Sequence, residues 1–396
     1  MAVNSMTFQQ SATLLNDVLE QITGKKSLAA VDESEFVSVA TTLLQTGYDQ
    51  LNTAVQEVIG RSIWVSRAYD PIYPSIMMDE EKWGGITRKV TTLDGEFIND
   101  QGYPLTDGTS IDPFLIQKRK NVQFNFYGGN TKEMLVTTPE EQLNTAFHSS
   151  GEFGSFMAAQ AVQLQNQLKQ KIEAESRIVV NNMIGAAINA GGDRVMHVLT
   201  EYKAATGNTT ITAANYLSEA EFVPFAKWMY GALTTKKRFL AERSTKFHAQ
   251  INTYAGVSLT KPILRHTTEQ FLRIFMLSEF MDQINSSALS GIYNKDLLSI
   301  GRYESVNFWQ NIDAPSTVSV TANELQADGT CAAGTPVVSD IVLGCLFDVE
   351  ALGITVKAES VRSIYNPRGR YFNNWYNWIV RWFNDQTENF IVLLLD

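Results

Sequence analysis

"YNPRGRYFNNWYNWIVRWF", Tyr365 to Phe383, sets three tryptophans and four other aromatic rings behind a four-residue turn signal. Four readings are open for so much ring surface: a stacking platform for nucleic acid, a sugar-binding face, a membrane-interface belt, or a core strand. Asn366-Pro367-Arg368-Gly369 reads as the turn, with proline presetting φ at its second position and glycine tolerating positive φ at its fourth. Beyond it, period-two alternation assigns Phe372, Tyr376, Trp378, Val380 and Trp382 to one face. Tyr371, Trp375, Ile379 and Phe383 share the other with Asn373, Asn377 and Arg381. A nucleic-acid platform threads arginines and lysines among its rings, and only Arg381 is threaded here. The pattern fits a long strand buried on one face and partly covered on the other, its rings filling a layer against a helix. Trp375, Trp378 and Trp382 are then structural; a sugar-binding face competes and needs them exposed.

The bulk numbers agree with a globular protein. Of 396 residues 44% are hydrophobic, enough to bury a real core, and the formal net charge is −10. That charge argues against a general nucleic-acid binder, whose affinity comes from cations on phosphates. Cys331 and Cys345 form no CxxC and read as free thiols of a reducing compartment. The first residues lack the basic and apolar regions of a signal peptide. No apolar run approaches the ~18 residues of a membrane span.

Working outward, "SGEFGSFMAAQAVQLQNQLKQKIEAESRIVVNNMIGAAINAGG" carries the clearest helical periodicity. It runs from a capping box at Ser149 and Glu152 to a stop at Gly191-Gly192. Its apolar row is Phe153, Met157, Ala161, Leu164, Leu168, Ile172, Val179, Met183 and Ala186, with Glu175 in line. A second amphipathic helix is predicted from Phe36 to Val58. Between the two, "GITRKVTTL" and "KNVQFNFYG" read as the strands of an extended β excursion, with turns or a tip in "LDGEFINDQGYPLTDG". A two-stranded ribbon is marginal alone in water, so its natural support is a neighbour. Further on, "SEAEFVPFAKWMYGALTTKKRFLAER" reads as a helix interrupted near Pro224, and "TEQFLRIFMLSEFMDQINSSAL" as a helix throughout. "HAQINTYAGVSL" is a strand with a turn, residues 314–340 an exposed loop or hairpin, and "NFIVLLL" a last strand.

Signs of chemistry are few. His148, His197, His248 and His266 stand far apart without metal spacing. "GGDR" follows a helix instead of preceding one, "YGGN" leads to no phosphate-loop motif, and no GxSxG occurs. The acids Asp79-Glu80-Glu81 and Glu140-Glu141 could pair as in a glycosidase, but neighbouring acids at helix starts are usually solvated or capping. No catalytic residue, cofactor or metal is assigned. Two basic clusters remain, Lys118-Arg119-Lys120 and Lys236-Lys237-Arg238 with Arg243. A solvated face is the plain reading, and in so acidic a chain they could as easily meet acidic surface on another copy as nucleic acid.

In order, a helical arm, an extended β loop, a long amphipathic helix, a mixed region and a returning aromatic strand resemble the α+β major capsid protein fold of tailed phages, the Hong Kong 97 type. Within it, the likeness is to the major head proteins of small podoviruses with protein-primed genomes. "ESVRSIYNPRGRYFNNWYNWIVRWF", "QLNTAFHSSGEFGSFMAAQAV" and "AVQEVIGRSIWVSRAYDPIY" carry it. "SIY" between Arg362 and Asn366 is an insertion in that family's turn, and residues 314–340 are not placed on it. The resemblance implies an N-terminal arm (1–66), an extended loop (67–133), a peripheral domain (134–194 and 341–396) with the spine helix, and an axial domain (195–340). It implies a non-enzymatic subunit that forms pentamers and hexamers of itself and tiles an icosahedral head around double-stranded DNA, assembled in the bacterial cytoplasm. A separate scaffolding protein is expected, because no long N-terminal scaffolding segment is seen, together with a portal and decoration proteins. Arg88, Lys89, Lys118, Arg119, Lys120, Lys236, Lys237 and Arg238 are the candidate inter-subunit cations. An encapsulin-like nanocompartment shell and a carbohydrate-active or sugar-binding phage protein are the alternatives.

Overall fold

The computed structural model describes residues 8–23, 35–36, 39–40, 54–55, 73–78, 87–95, 107–108, 110, 112–114, 116, 118–127, 129–146, 150–259, 261–289 and 302–396. They divide into two compact units, each assembled from several stretches of chain. One comprises residues 1–81, 129–175 and 355–381; the other comprises 82–128, 176–354 and 382–396.

The first unit is built on a three-stranded sheet in the order β12 (Leu352–Asn366), β13 (Tyr371–Asn384), β3 (Gly129–Pro139). The quoted aromatic stretch is β13, and burial alternates residue by residue from Tyr371 to Val380. Phe372, Tyr376 and Trp378 pack in one cluster with Leu15, Val18 and Leu19 of helix α1 (Phe8–Thr23). Phe36, Ala40 and Val55 join them, as do Phe153 and Leu164 of the long helix α3 (Ser150–Ala190). Large rings on one strand face thus fill the layer against helices, as the alternation predicts. Asn374 shares that buried face and is satisfied there by Ser363 Oγ at 2.7 Å and Thr138 Oγ1 at 3.2 Å. Trp382 is only half-buried, although its parity places it with Trp378. The short helix α2 (Glu140–Ala146) begins on Glu140 and Glu141, which sit in its first turn where the helix dipole favours acids.

Helix α3 has 41 residues, about 60 Å at 1.5 Å each. Gly191 ends it at φ 61°, its N–H reaching back to Ala187 O. Glu175 fits the apolar row because Lys132 Nζ meets its carboxylate at 3.0 Å and Lys171 at 3.6 Å. Ser149, and most of the helix predicted from Phe36 to Val58, lie outside the described residues.

The second unit centres on a five-stranded sheet ordered β4 (Val195–His197), β14 (Phe390–Leu394), β11 (Val342–Asp348), β7 (Leu272–Leu277), β8 (Arg302–Val306). Its core takes in helices α4 (Val198–Thr206), α5 (Glu219–Ala241) and α6 (Ser278–Leu289). A small hairpin pairs β5 (Thr253–Tyr254) with β6 (Val257–Ser258) through Ala255 and Gly256, both at positive φ. Two expectations are corrected here. "LRIFML" is strand β7, buried at every residue, and the helix begins only at Ser278; a short run apolar on all sides is ambiguous by periodicity alone. Helix α5 runs unbroken through Pro224, because Phe222, Phe225, Ala226, Met229 and Leu233 are all held in the core and outweigh one lost hydrogen bond.

Residues 314–340 hold the hairpin of β9 (Val318–Leu325) and β10 (Cys331–Ser339). It lies against the second half of α3, where a Cβ at Gly185 would sit 2.5 Å from Val320. Asn182 and Asn189, one turn to either side of that glycine, bond to Asn323 N and Thr335 O. A ribbon of β1 (Thr87–Thr92) and β2 (Asn121–Phe126) completes the unit, antiparallel as the sequence indicates.

Candidate assembly surfaces and the polar knot beneath them

Alternation turns Lys89 and Thr91 of β1 inward and leaves Arg88, Val90 and Thr92 exposed. Lys89 Nζ lies 2.5 Å from Glu388, 3.1 Å from Asp385 and 3.1 Å from Glu350. Burial alone would lower the pKa of this ammonium; the carboxylates of Asp385 and Glu388 reverse that and hold it above the usual lysine value. Burial pushes Glu388 upward, against the pull of Lys89 and Arg265. Arg265 donates through Nε to Glu388 at 2.9 Å and through Nη2 to Thr91 Oγ1 at 3.0 Å. The root of the extended loop is therefore tied to its own chain by a compact set of charges.

Two of those charges, Asp385 and Glu388, belong to five consecutive buried polar residues, Asp385 to Asn389, between β13 and β14. Gln386 bonds the edge of β9 twice, accepting from Leu325 N and donating to Asn323 O. Thr387 accepts from Arg265, and Asn389 reaches Thr267 and His248. Sequence reasoning passed over this knot, since "DQTEN" between two apolar strands resembles an exposed turn. Its one signal is that it separates two strands yet carries no glycine or proline.

His248 is buried in the same region, its Nε2 3.0 Å from Ile263 O. Burial lowers its pKa to about 4, aided by Arg265 and Arg194 and opposed by hydrogen bonds to Ile263 and Asn389. The unfolded chain therefore binds the extra proton between pH 6.5 and about 4. This contribution to stability is whole above pH 6.5 and is lost as pH falls through that window. At 1.36 kcal/mol per pKa unit the loss approaches about 3 kcal/mol. Urea unfolding of the subunit at pH 7 and pH 4.5 should show it in wild type and much less in His248→Gln. Glu388 titrates in the opposite sense but is common to both proteins. Equal pH dependence in the two would refute the assignment.

The other sequence-predicted residues fall into distinct settings. Lys118, Arg119 and Lys120 are exposed, close in sequence to Phe114 and Ile116, which are 83% and 78% exposed. Lys236 faces Glu201 at 3.6 Å and Lys237 faces Glu269 at 2.6 Å, while Arg238 is exposed. Pro367, Arg368 and Gly369 form the turn, with Asn366 Oδ1 accepting from the N–H groups of Arg368 and Gly369. The positive φ of this turn falls on Arg370, one residue later than expected. Gly369 is close-packed instead: a Cβ there would come within 2.3 Å of the Tyr371 ring, which would have to shift. Trp378 is buried and Trp375 half-buried on the opposite face, so the three tryptophans form no exposed sugar platform.

No group of three or more His, Cys, Asp or Glu gathers among the described residues as for a metal ion. Burial raises the pKa of both thiols, away from the reactive thiolate. No described helix is long and apolar enough to cross a membrane. Among the described residues the surface offers strand edges, exposed apolar residues and cations without an ion pair.

Comparison with known proteins gives this surface its setting. No curated protein sequence matches the chain. Among solved structures, a chain from the head fiber and inner core protein structure of bacteriophage P68 superposes with a TM-score of 0.51. The identity is 9%, over 83% of this chain and 86% of that one. A chain from the capsid of Staphylococcus phage Andhra gives 0.48 at 12% identity, over 80% and 82%. One from the capsid of Cyanophage P-SCSP1u gives 0.42 at 10%, over 81% and 86%. The P68 likeness speaks for the fold alone, and the mixed helix and strand architecture is that of the α+β Hong Kong 97 type. The profile of the Phi29-like phage major capsid proteins matches residues 12–394, and the chain belongs to that family: it is a major capsid protein, a subunit of a phage head shell.

Proposed function

We propose that the extended loop is the lock between neighbouring subunits and that its free cations choose the partner. The observation that carries this is the exposed run Lys118-Arg119-Lys120 beside exposed Phe114 and Ile116. Such a run stands in solvent in the single chain, and an interface with an acidic neighbour would bury it. Arg88 belongs to the same set. Lys89 has a different task, holding the loop's root in its own chain, and Lys236 and Lys237 are partnered locally.

On this reading the arm, loop, peripheral and axial parts keep the boundaries 1–66, 67–133, 134–194 with 341–396, and 195–340. Copies close into pentamers and hexamers through repeated heterologous contacts. Assembly takes place in the host cytoplasm with a separate scaffolding protein and a portal, and decoration proteins join the shell. The packaged DNA lies against the inner wall without base readout, the net charge of −10 keeping that wall from adhering to it. The subunit performs no catalysis.

The test replaces Lys118, Arg119 and Lys120 together by serine. Sedimentation velocity should then show unassembled subunits where wild type gives shells, with circular dichroism unchanged. A variant that assembles at wild-type concentration would rule the charge lock out.

A further inference from the structure

The strand edges of this chain are treated unequally. The outer edge of β9 is covered by side-chain amides: Gln310 bonds both Ser319 N and Ser319 O, Asn182 takes Asn323 N, and Gln386 takes Leu325 N and Asn323 O. β10 is broken by a register shift between Ala333 and Pro336, and proline has no N–H to offer. β2 is occupied at Gln123, whose N–H and C=O both meet the Tyr254 hydroxyl. These are the devices by which an edge avoids pairing with another chain.

β1 lacks them, and β3 meets none before Pro139, its last residue. In the ribbon, Leu93 N bonds Lys120 O, so the backbones of Thr87, Lys89 and Thr91 face β2 and those of Arg88, Val90 and Thr92 face outward. In the three-stranded sheet, Glu140 N bonds Arg370 O, so Thr131, Glu133, Leu135 and Thr137 of β3 present their backbones to its outer side. Among the described residues no strand lies beyond either edge. The side chains at these positions are exposed on both strands, including Val90 at 60% and Leu135 at 53%. Arg88 and Glu133 are each exposed, and among the described residues neither has a hydrogen bond or ion pair.

Resting on the reading of the loop as an inter-subunit lock, we infer that β1 of one copy adds antiparallel to the open edge of β3 in a second copy, in the register that sets Arg88 against Glu133. That register places Val90 beside Thr131 and, one strand further in, Ile379. Thr92 then meets Gly129. Outward-facing residues pair with outward-facing residues, as an antiparallel ladder requires, so the exposed faces of the two strands stay on one side of the joined sheet. The backbone supplies the adhesion and the Arg88–Glu133 pair supplies the register, which a two-residue slip would lose. The contact would convert the two-stranded ribbon, marginal by itself, into part of a five-stranded sheet.

The experiment uses the full chain assembled into shells, in a Cys331→Ser background. Val90→Cys with Thr131→Cys, oxidised after assembly, should give a ladder of linked subunits on a non-reducing gel. Val90→Cys with Leu135→Cys, displaced by four residues, should not. A second pair keeps the proposal testable if the cysteine variants fail to fold. Arg88→Glu should raise the concentration needed for assembly about tenfold or more, since like charges then face each other. Adding Glu133→Arg should restore it. Shells that form normally yet give no ladder, a link confined within one chain, or a charge swap without rescue would each overturn the strand addition. Wild-type protein that forms no shells would instead overturn the lock on which it rests.

Discussion

Lys89→Ala is expected to destabilise the subunit by about 3–5 kcal/mol, the size of effect seen when one member of a buried ion pair is removed. Asp385 and Glu388 are 2% and 5% exposed and depend on this ammonium. Without it Glu388 keeps only Arg265, and Asp385 keeps the N–H and hydroxyl of Thr387. The damage comes from the carboxylates left behind, so removing one of them should relieve it. Lys89→Met with Glu388→Gln should recover much of the loss, because an apolar stem beside a neutral amide leaves less charge uncompensated. Urea unfolding of the two variants against wild type decides the point. A loss below about 1 kcal/mol for Lys89→Ala would mean that the cluster is solvated and does not anchor the loop.

The second large effect belongs to Trp378. It is 5% exposed, stacks on Tyr376 with ring centroids 6.1 Å apart, and shares a cluster with Phe36, Phe153 and Leu164. Trp378→Ala should cost about 3–5 kcal/mol, the usual range for truncating a buried aromatic. Trp375, on the half-exposed face opposite Leu135, should cost distinctly less when replaced by alanine. Thermal unfolding of both variants gives the comparison. Equal losses would mean that the two faces of β13 are equally buried in the working protein.

That contrast was legible in the sequence because a strand alternates with a period of two and nothing else in the chain interferes with it. The spine helix was legible for a similar reason, down to the glycines that stop it, and even Glu175 sat in the apolar row at the position where Lys132 and Lys171 neutralise it. The misread parts share a cause. β7 and α6 are joined in one apolar stretch whose two periods overlap, and only the neighbouring strands β11 and β8 decide where strand becomes helix. Pro224 breaks a local rule that the surrounding core overrides. Asp385 to Asn389 look solvated because each is polar, yet every one finds its partner 60 to 300 residues away, at Leu325, Arg265, Thr267, His248 or Lys89. Long-range partners of this kind leave no local trace. The same holds for Arg88 and Lys89, adjacent cations that the pleat sends to opposite faces, one into the chain's own charge cluster and one to the surface.

The central claim is that this chain builds a head wall in which the extended loop of one copy is fixed by the next. An electron cryomicroscopy map of purified heads tests it most directly. The expected result is a wall made of this chain, with a fourth strand lying along the outer edge of every β3 and continuous with the β1 of a neighbouring copy. A wall in which β3 faces solvent, and the ribbon of β1 and β2 touches no other copy, would contradict it.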